Sequence, residues 1–465
     1  MPAPPPSLAD WTAGQLLAAF RTGSVTPLDA WAAVEARIAA AEPKIAALYA
    51  YAPERARREA AASTERWRRG APIGPLDGMP VTVKELIATE GDPVPRGSAA
   101  SELAPARQDA PAAARLREDG AILFAKTTCP DYGMLSSGLS SFHPLTRNPW
   151  NLAKNPGGSS SGAAAAAAAG YGPLHVGTDI GGSIRIPAGW TGLFGFKPSN
   201  GRVPIDPYYP GRCAGPMTRT VADAVMMMPT LSRPDWRDAT SLPPTPLDWP
   251  GEAPDVRGLR LGLMLDAGCG LPVDREILDA VTAAARRFEA AGAIVEAVPP
   301  VLTAAMLDGL DDFWRARAWA EISLLPPERQ RRILPYIHAW ATKAETMSGV
   351  RAVRGHDQTL AMRQACARLF QSVDAVLSPT NPVVSFPAEH ASPTNDPDRP
   401  FEHIAFTVPW NMSEQPAASI NCGFSRAGMP IGLQIVGPRF GDVLVLQLSL
   451  THEAWQEPIA WPAVG

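Results

Sequence analysis

Residues 155–199 read NPGGSSSGAAAAAAAGYGPLHVGTDIGGSIRIPAGWTGLFGFKPS, two glycine-serine clusters separated by a run of seven alanines. Alanine is the strongest helix former and Gly170 supplies a stop, so the pattern predicts a helix over 163–169. A helix with no side chain beyond a methyl group can pack very close to a sheet and carry the serines before it deep into the molecule. Residues 174–177, LHVG, read as a short strand that leads to the second cluster. Glycines at this density, beside hydroxyls and a helix start, indicate that backbone must come close to something.

The flanking sequence predicts an α/β fold. Thr26 and Pro27 form a start signal for a helix whose Leu28, Trp31, Val34 and Ile38 share one face, and a second helix over 54–69 is Arg-, Glu- and Ala-rich. Val81, Thr82 and Val83 are a β-branched run ending in Lys84, which from its own surroundings reads as a strand-edge lysine reaching for water. A helix from Pro111, then Gly120, then AILFAKTT continues the rhythm, while residues 134–158 are loop. Beyond Arg202 loop and helix alternate, GPMTRTVADAVMMM opening a helix capped by Thr220 and Asp223. Strands are predicted at 258–265, at AIVEAVPP, at 374 and at 431, with a long helix over 274–291 between the first two. Residues 301–370 are mainly helical, and their Trp314, Trp319, Tyr336 and Trp340 read as core before ligand contact. With no repeat, heptad or linker, the expectation is one large domain over 1–465, a central mixed sheet covered by helices on both faces.

Composition narrows the function classes. A chain of 465 residues, 46% hydrophobic and 19% charged, buries a large core. A formal charge of -4 and a pI near 6.0 give no electrostatic reason to expect nucleic acid. The opening MPAPPPSLADW lacks a secretory pattern and no run of about eighteen apolar residues occurs, so no membrane association is expected. Cys129, Cys213, Cys269, Cys366 and Cys422 are odd in number and never in a CxxC pair, which fits a reducing cytoplasm; Cys129 reads as a small core residue.

Three familiar chemistries fit the glycine-serine clusters poorly. Gly158 to Gly162 match a G-x-S-x-G nucleophile elbow at Ser160, but an elbow needs an apolar strand before it and here stands NLAKNP. No Gly-Lys-Ser/Thr follows to make a phosphate loop, and no histidine pair has metal-ligand spacing. A base other than histidine remains, with Lys84, Ser159 and Ser183 as the candidates.

The chain resembles the amidase signature family. The matching segments include GMPVTVK ending at Lys84, RNPWN at 147–151, PGGSS at 156–160, GTDIGGSIRIPA from Gly177, GFKPS ending at Ser199, GRVP at 201–204 and residues 215–224, with 374–382, 406–419 and 428–437 near the end. Most of the chain is covered except roughly 230–370, and the signature core is roughly 70–225. The resemblance implies a Ser-cisSer-Lys triad: Ser183 as nucleophile, Ser159 as relay on a cis peptide, Lys84 as base. A lysine is a poor base at its ordinary pKa of about 10.4; burial lowers it, at about 1.36 kcal/mol per unit. The N–H groups at Ile180, Gly181 and Gly182 are the expected oxyanion donors, Asp179 and Arg185 a pair holding the loop, Thr178 a hydrogen-bonding neighbour, Ser160 a support for Ser159, and Met134 a candidate substrate contact. Departures from the family pattern are Glu85 for aspartate, Ser161 and Ala163 for glycine and serine, and Asn421 for proline; none removes a triad residue.

The function so implied is hydrolysis of an amide C–N bond without metal or organic cofactor. Aromatics over 314–340, with Tyr208 and Tyr209, tilt the expectation towards a small apolar or aryl acyl amide, ester or carbamate. A second reading is the amidase component of a tRNA-dependent amidotransferase, inert alone; a third, a catalytically silent scaffold, conflicts with the intact Lys84, Ser159 and Ser183. Homodimerisation is the self-assembly the resemblance admits.

Overall fold

The computed structural model describes residues 7–464, so the first six residues of the N-terminal stretch lie outside the described part. Eleven strands form one sheet: β1 (Leu48–Tyr49), β2 (Pro80–Lys84), β3 (Ile122–Thr127), β4 (Leu174–Asp179), β5 (Phe194–Lys197), β6 (Cys213–Thr218), β7 (Arg260–Leu263), β8 (Ile294–Ala297), β9 (Ala375–Pro379), β10 (Ala417–Phe424) and β11 (Pro430–Val436). Their spatial order is β1-β3-β2-β4-β6-β5-β10-β11-β9-β7-β8. β3, β2 and β4 run parallel, as do β9, β7 and β8, and the strands between pair antiparallel. The mixed sheet flanked by helices is the architecture the sequence leads one to expect.

Alternation along the buried strands sorts side chains between the two faces. On β2, Val81 and Val83 join a large apolar core with Leu174 and Val176 of β4 and with Val221, Ala224 and Met227 of the helix Val221–Leu231. Thr82 and Lys84 are left for the other face, where Thr82 Oγ1 lies 2.8 Å from His175 Nδ1. The helix Ser161–Ala169 covers that face, every residue of it buried, in contact with β2, β3, β4 and β6. At Gly162 even a Cβ would lie 2.3 Å from Ala47 O and Thr128 N. The small residues therefore seat the helix so deeply that its N-terminus arrives beside the C-terminal ends of β2 and β4.

Three expectations are revised. Leu28 is exposed at 37% while Trp31, Val34 and Ile38 of the same helix, Pro27–Ile45, are buried, so the apolar face is narrower than its spacing implies. Residues 213–218 are a central strand, not the approach to a helix; Gly215 and Pro216 mask it. Thr220 caps the following helix, accepting from Asp223 N, but the Asp223 carboxylate accepts from Ala13 N instead of completing the cap. Among the described residues no helix is long and apolar enough to cross a membrane, and all five cysteines are free.

Candidate active site

Lys84 ends β2 fully buried, and its ammonium donates to Ser159 Oγ at 2.8 Å and to Thr178 Oγ1 at 3.1 Å. Burial pulls its pKa down from 10.5 to about 8 and the nearby Arg212 guanidinium adds to the fall, while Cys129, Asp179 and Glu85 oppose it. Deprotonation near neutral pH is thus within reach of this lysine, as it is not for one in water. Thr178 does more than bond within its own loop: it holds the Lys84 ammonium.

The first serine cluster enters on a cis peptide between Gly158 and Ser159. Ser160 turns its hydroxyl to the end of β4, donating to Thr178 O at 3.1 Å and accepting from Thr178 N at 3.2 Å. Its own N–H donates to Ser183 O at 3.3 Å, so the two clusters are joined directly. Ser160 is spent on these contacts and does not line the cavity, whereas Ser159 and Ser183 do. Among the described residues no hydrogen bond joins Ser159 to Ser183.

Asp179 organises the loop that presents Ser183. One carboxylate oxygen accepts from Gly182 N at 2.8 Å and the other from Ile184 N at 3.1 Å, while both meet the Arg185 guanidinium, at 2.9 and 3.0 Å. Burial alone would raise the Asp179 pKa, but Arg185 outweighs it, helped by Lys197 and Asn411, and holds the carboxyl far below the usual carboxylate range. Arg185 is in turn saturated by Thr407 O, Gln434 Oε1 and Asn411 Oδ1. Such a pair, wholly out of water, is kept by its hydrogen bonds. Gly182 has φ of +127° and a Cβ there would strike Ile186 and Thr407 at 2.5 Å, so only glycine fits. Of the three expected oxyanion donors, Ile180 and Gly181 have N–H groups with no partner among the described residues, whereas that of Gly182 is taken by Asp179.

Ser159, Ser183 and Thr178 open onto a cavity of about 620 Å³. Met134 and Ile180 line it as well, so the loop residue singled out as a substrate contact faces the reacting groups. The opposite wall, invisible to sequence reasoning as a unit, comes from the helix Ala304–Ile322 with Trp314, Arg317, Ala318 and Glu321, from Leu324 and Leu325, and from Tyr209 and Arg212. Trp314 reaches the loop that carries Ser183: a Cβ on Gly181 would lie 3.2 Å from its ring. The other aromatics of this region divide differently. Trp340 is core, its Nε1 donating to Asp311 Oδ1 at 2.8 Å, Tyr336 Oη donates to Asp396 O at 2.8 Å, and Tyr208 is 40% exposed outside the cavity.

Next to Lys84, the residues Glu85, Cys129 and His143 bring three ligand-type atoms within 4.8 Å of one another. Their chemistry is that of a hydrogen-bonding hub. Glu85 accepts from Arg96 N at 2.6 Å, Gly97 N at 2.7 Å and the Cys129 thiol at 3.4 Å, and lies 2.9 Å from His143 Nε2. Burial, and then Glu85, push the Cys129 thiol well above its ordinary pKa, so it stays protonated and core-like. The departure at Glu85 thus anchors the 96–97 turn beside Lys84.

Comparisons with known proteins identify the family. The Amidase family model matches residues 29–446. Similar proteins include a glutamyl-tRNA(Gln) amidotransferase component from Chloroflexus aggregans, 33% identical with 95% of each chain covered, and an acylamidase of Rhodococcus erythropolis, 32% identical with 95% of each covered. The crystal structure of a bacterial aryl acylamidase superposes with a TM-score of 0.88 at 30% identity, covering 96% of both chains. With a family model spanning most of its length and relatives of this identity along nearly all of it, the chain belongs to the amidase signature family of amide-hydrolysing enzymes.

Proposed function

We propose that the protein hydrolyses the C–N bond of a small apolar or aryl acyl amide, and related esters and carbamates, through an acyl-enzyme on Ser183. The observation that carries this reading is the buried Lys84 donating to Ser159 at 2.8 Å, in a cavity that Ser159 and Ser183 both line. With Lys84 neutral, Ser183 Oγ attacks the carbonyl carbon as its proton passes to Ser159 and the Ser159 proton passes to Lys84, which a hydroxyl permits because it both donates and accepts. The N–H groups of Ile180 and Gly181 meet the oxyanion. Collapse breaks the C–N bond, and the same relay returns the proton to the departing amine. Water then adds to the ester, its proton taken by the relay, and its collapse releases the carboxylic acid and restores the Ser183 hydroxyl. Met134, Ile180 and Trp314 supply the apolar contact that favours an aryl or alkyl acyl group.

The test is a panel of para-nitroanilides, para-nitrophenyl esters and an aryl carbamate on the purified chain. Ser183→Ala is expected to lower kcat by about four orders of magnitude or more with the fold retained. Full activity in that variant would sink the mechanism. A second reading, the amidase component of a tRNA-dependent amidotransferase, is favoured by the Chloroflexus aggregans relative. It requires that the chain alone be inert on the whole panel and copurify with other components of such a complex.

A further inference from the structure

The cavity is apolar near Met134 and Trp314 but strongly basic elsewhere. Three guanidinium groups line it, Arg96, Arg212 and Arg317, against one carboxylate, Glu321. Glu321 is already engaged, 2.6 Å from Arg96 and 3.9 Å from Arg317. Arg317 also lies over the Tyr209 ring, 3.4 Å from its centroid. Arg212 has no carboxylate within ion-pair distance among the described residues; its side chain donates only to Pro207 O, at 2.8 Å. It is half-buried, and it follows directly on Gly211 at the start of β6, where Cys213 pairs with Asp179, so it stands across from Ile180 at the mouth of the nucleophile loop. Burial, then Arg317 and Arg96, pull its pKa down to about 10, with Asp206 opposing. The contrast is with Arg185, likewise near Ser183 but saturated by protein acceptors: Arg212 keeps most of its donors free of protein partners among the described residues.

We infer that Arg212 receives a free carboxylate on the substrate, making the preferred substrate an amide that carries an anionic group as well as an apolar one. The inference rests on the amidase reading of the same cavity. A guanidinium fork matches a carboxylate with two parallel hydrogen bonds, and removal from bulk water strengthens the pairing. Arg317 and Arg96 add to the positive field that draws the anion in.

Two matched pairs test it and report which side of the amide bears the charge: glutaranilate against its methyl ester, with the carboxylate on the acyl side, and 4-acetamidobenzoate against its methyl ester, with it on the amine side. Wild-type protein is expected to favour the acid over the ester at least tenfold in kcat/KM in one pair. Arg212→Met should abolish that ratio, and Arg212→Lys should restore part of it. Calorimetric titration of the Ser183→Ala protein with the same four compounds reads binding independently of turnover, and the same preference is expected there. Absence of any acid preference in both pairs and both measurements overturns the inference, as does a preference that survives Arg212→Met. Acid-selective binding lost in an Arg212→Met, Ser183→Ala double variant, in a protein that hydrolyses none of the compounds, would retain the carboxylate site and defeat the amidase reading. Hydrolysis of all four without preference would do the reverse.

Discussion

The two walls of the cavity are built on opposite principles. Behind the serines stand β2, β4 and the helix Ser161–Ala169, where the polar groups are buried and knit together: Lys84 to Ser159 and Thr178, Ser160 to Thr178 and Ser183, Asp179 to Gly182, Ile184 and Arg185. Facing them, the helix Ala304–Ile322, the 207–212 segment and the turn after the helix present apolar side chains and arginines, with Leu324 of that turn exposed at 83%. The first wall fixes atoms to within a hydrogen-bond length; the second decides what shape and charge fit in front of them. On the proposed function, chemistry and selectivity should therefore be separable by mutation.

The sharpest break is at Asp179. Asp179→Ala leaves Arg185 as an uncompensated buried charge and frees the backbone N–H groups of Gly182, Ile184 and Arg185 in the Ser183 loop, with an expected loss of about 3–5 kcal/mol of stability. Chemical denaturation should register it as a lower midpoint, and an unchanged midpoint would show the network to be dispensable.

Next is the pH dependence. Only the neutral form of Lys84 accepts a proton, and its pKa is about 8, so kcat/KM should fall about tenfold per pH unit below that value and level off above it. The stability sign is also fixed. Between pH 8 and 10.5 the unfolded lysine holds a proton that the folded one has lost, so the Lys84 contribution to stability rises with pH across that window and is unfavourable below it. Lys84→Met should then inactivate the enzyme without lowering its denaturation midpoint at pH 7; a large drop would mean that the ammonium is favourably held.

Where the cavity offers only apolar contact the effects shrink. Met134→Ala should raise KM for aryl amides severalfold, on the order of 1 kcal/mol of lost apolar contact, with kcat little changed. Leu324→Ser, at the exposed rim, should leave stability within about 0.5 kcal/mol and alter only the ranking of bulky substrates. A loss of kcat as large as that of Ser183→Ala in either variant would erase the distinction between the walls.

Legibility in the sequence divides along the same line. The alanine run with Gly170 and the β-branched run ending at Lys84 have strong local signals, and the structure contains both elements. Strand β6 escaped because its Gly215 and Pro216 carry the wrong propensity for a central strand, their cost being met by pairing with β4 and β5. Lys84 looked like a surface-seeking strand end because its partners, Ser159 and Thr178, are remote in sequence. The meaning of Arg212 was hidden for a further reason. Its lack of a partner is a property of the assembled neighbourhood, which no local pattern records.

The pairing of β2 beside β4 has one more consequence. Parallel neighbours cannot be joined by a tight turn, and here the connection includes β3 and the helix Ser161–Ala169 before the chain returns. Lysine and serines therefore meet only after that long loop has closed and a non-local strand pairing has formed, a slow kind of contact for a folding chain. A nascent or partly unfolded molecule carries all three residues without bringing them together, so on the proposed mechanism catalytic competence arises only with the finished sheet.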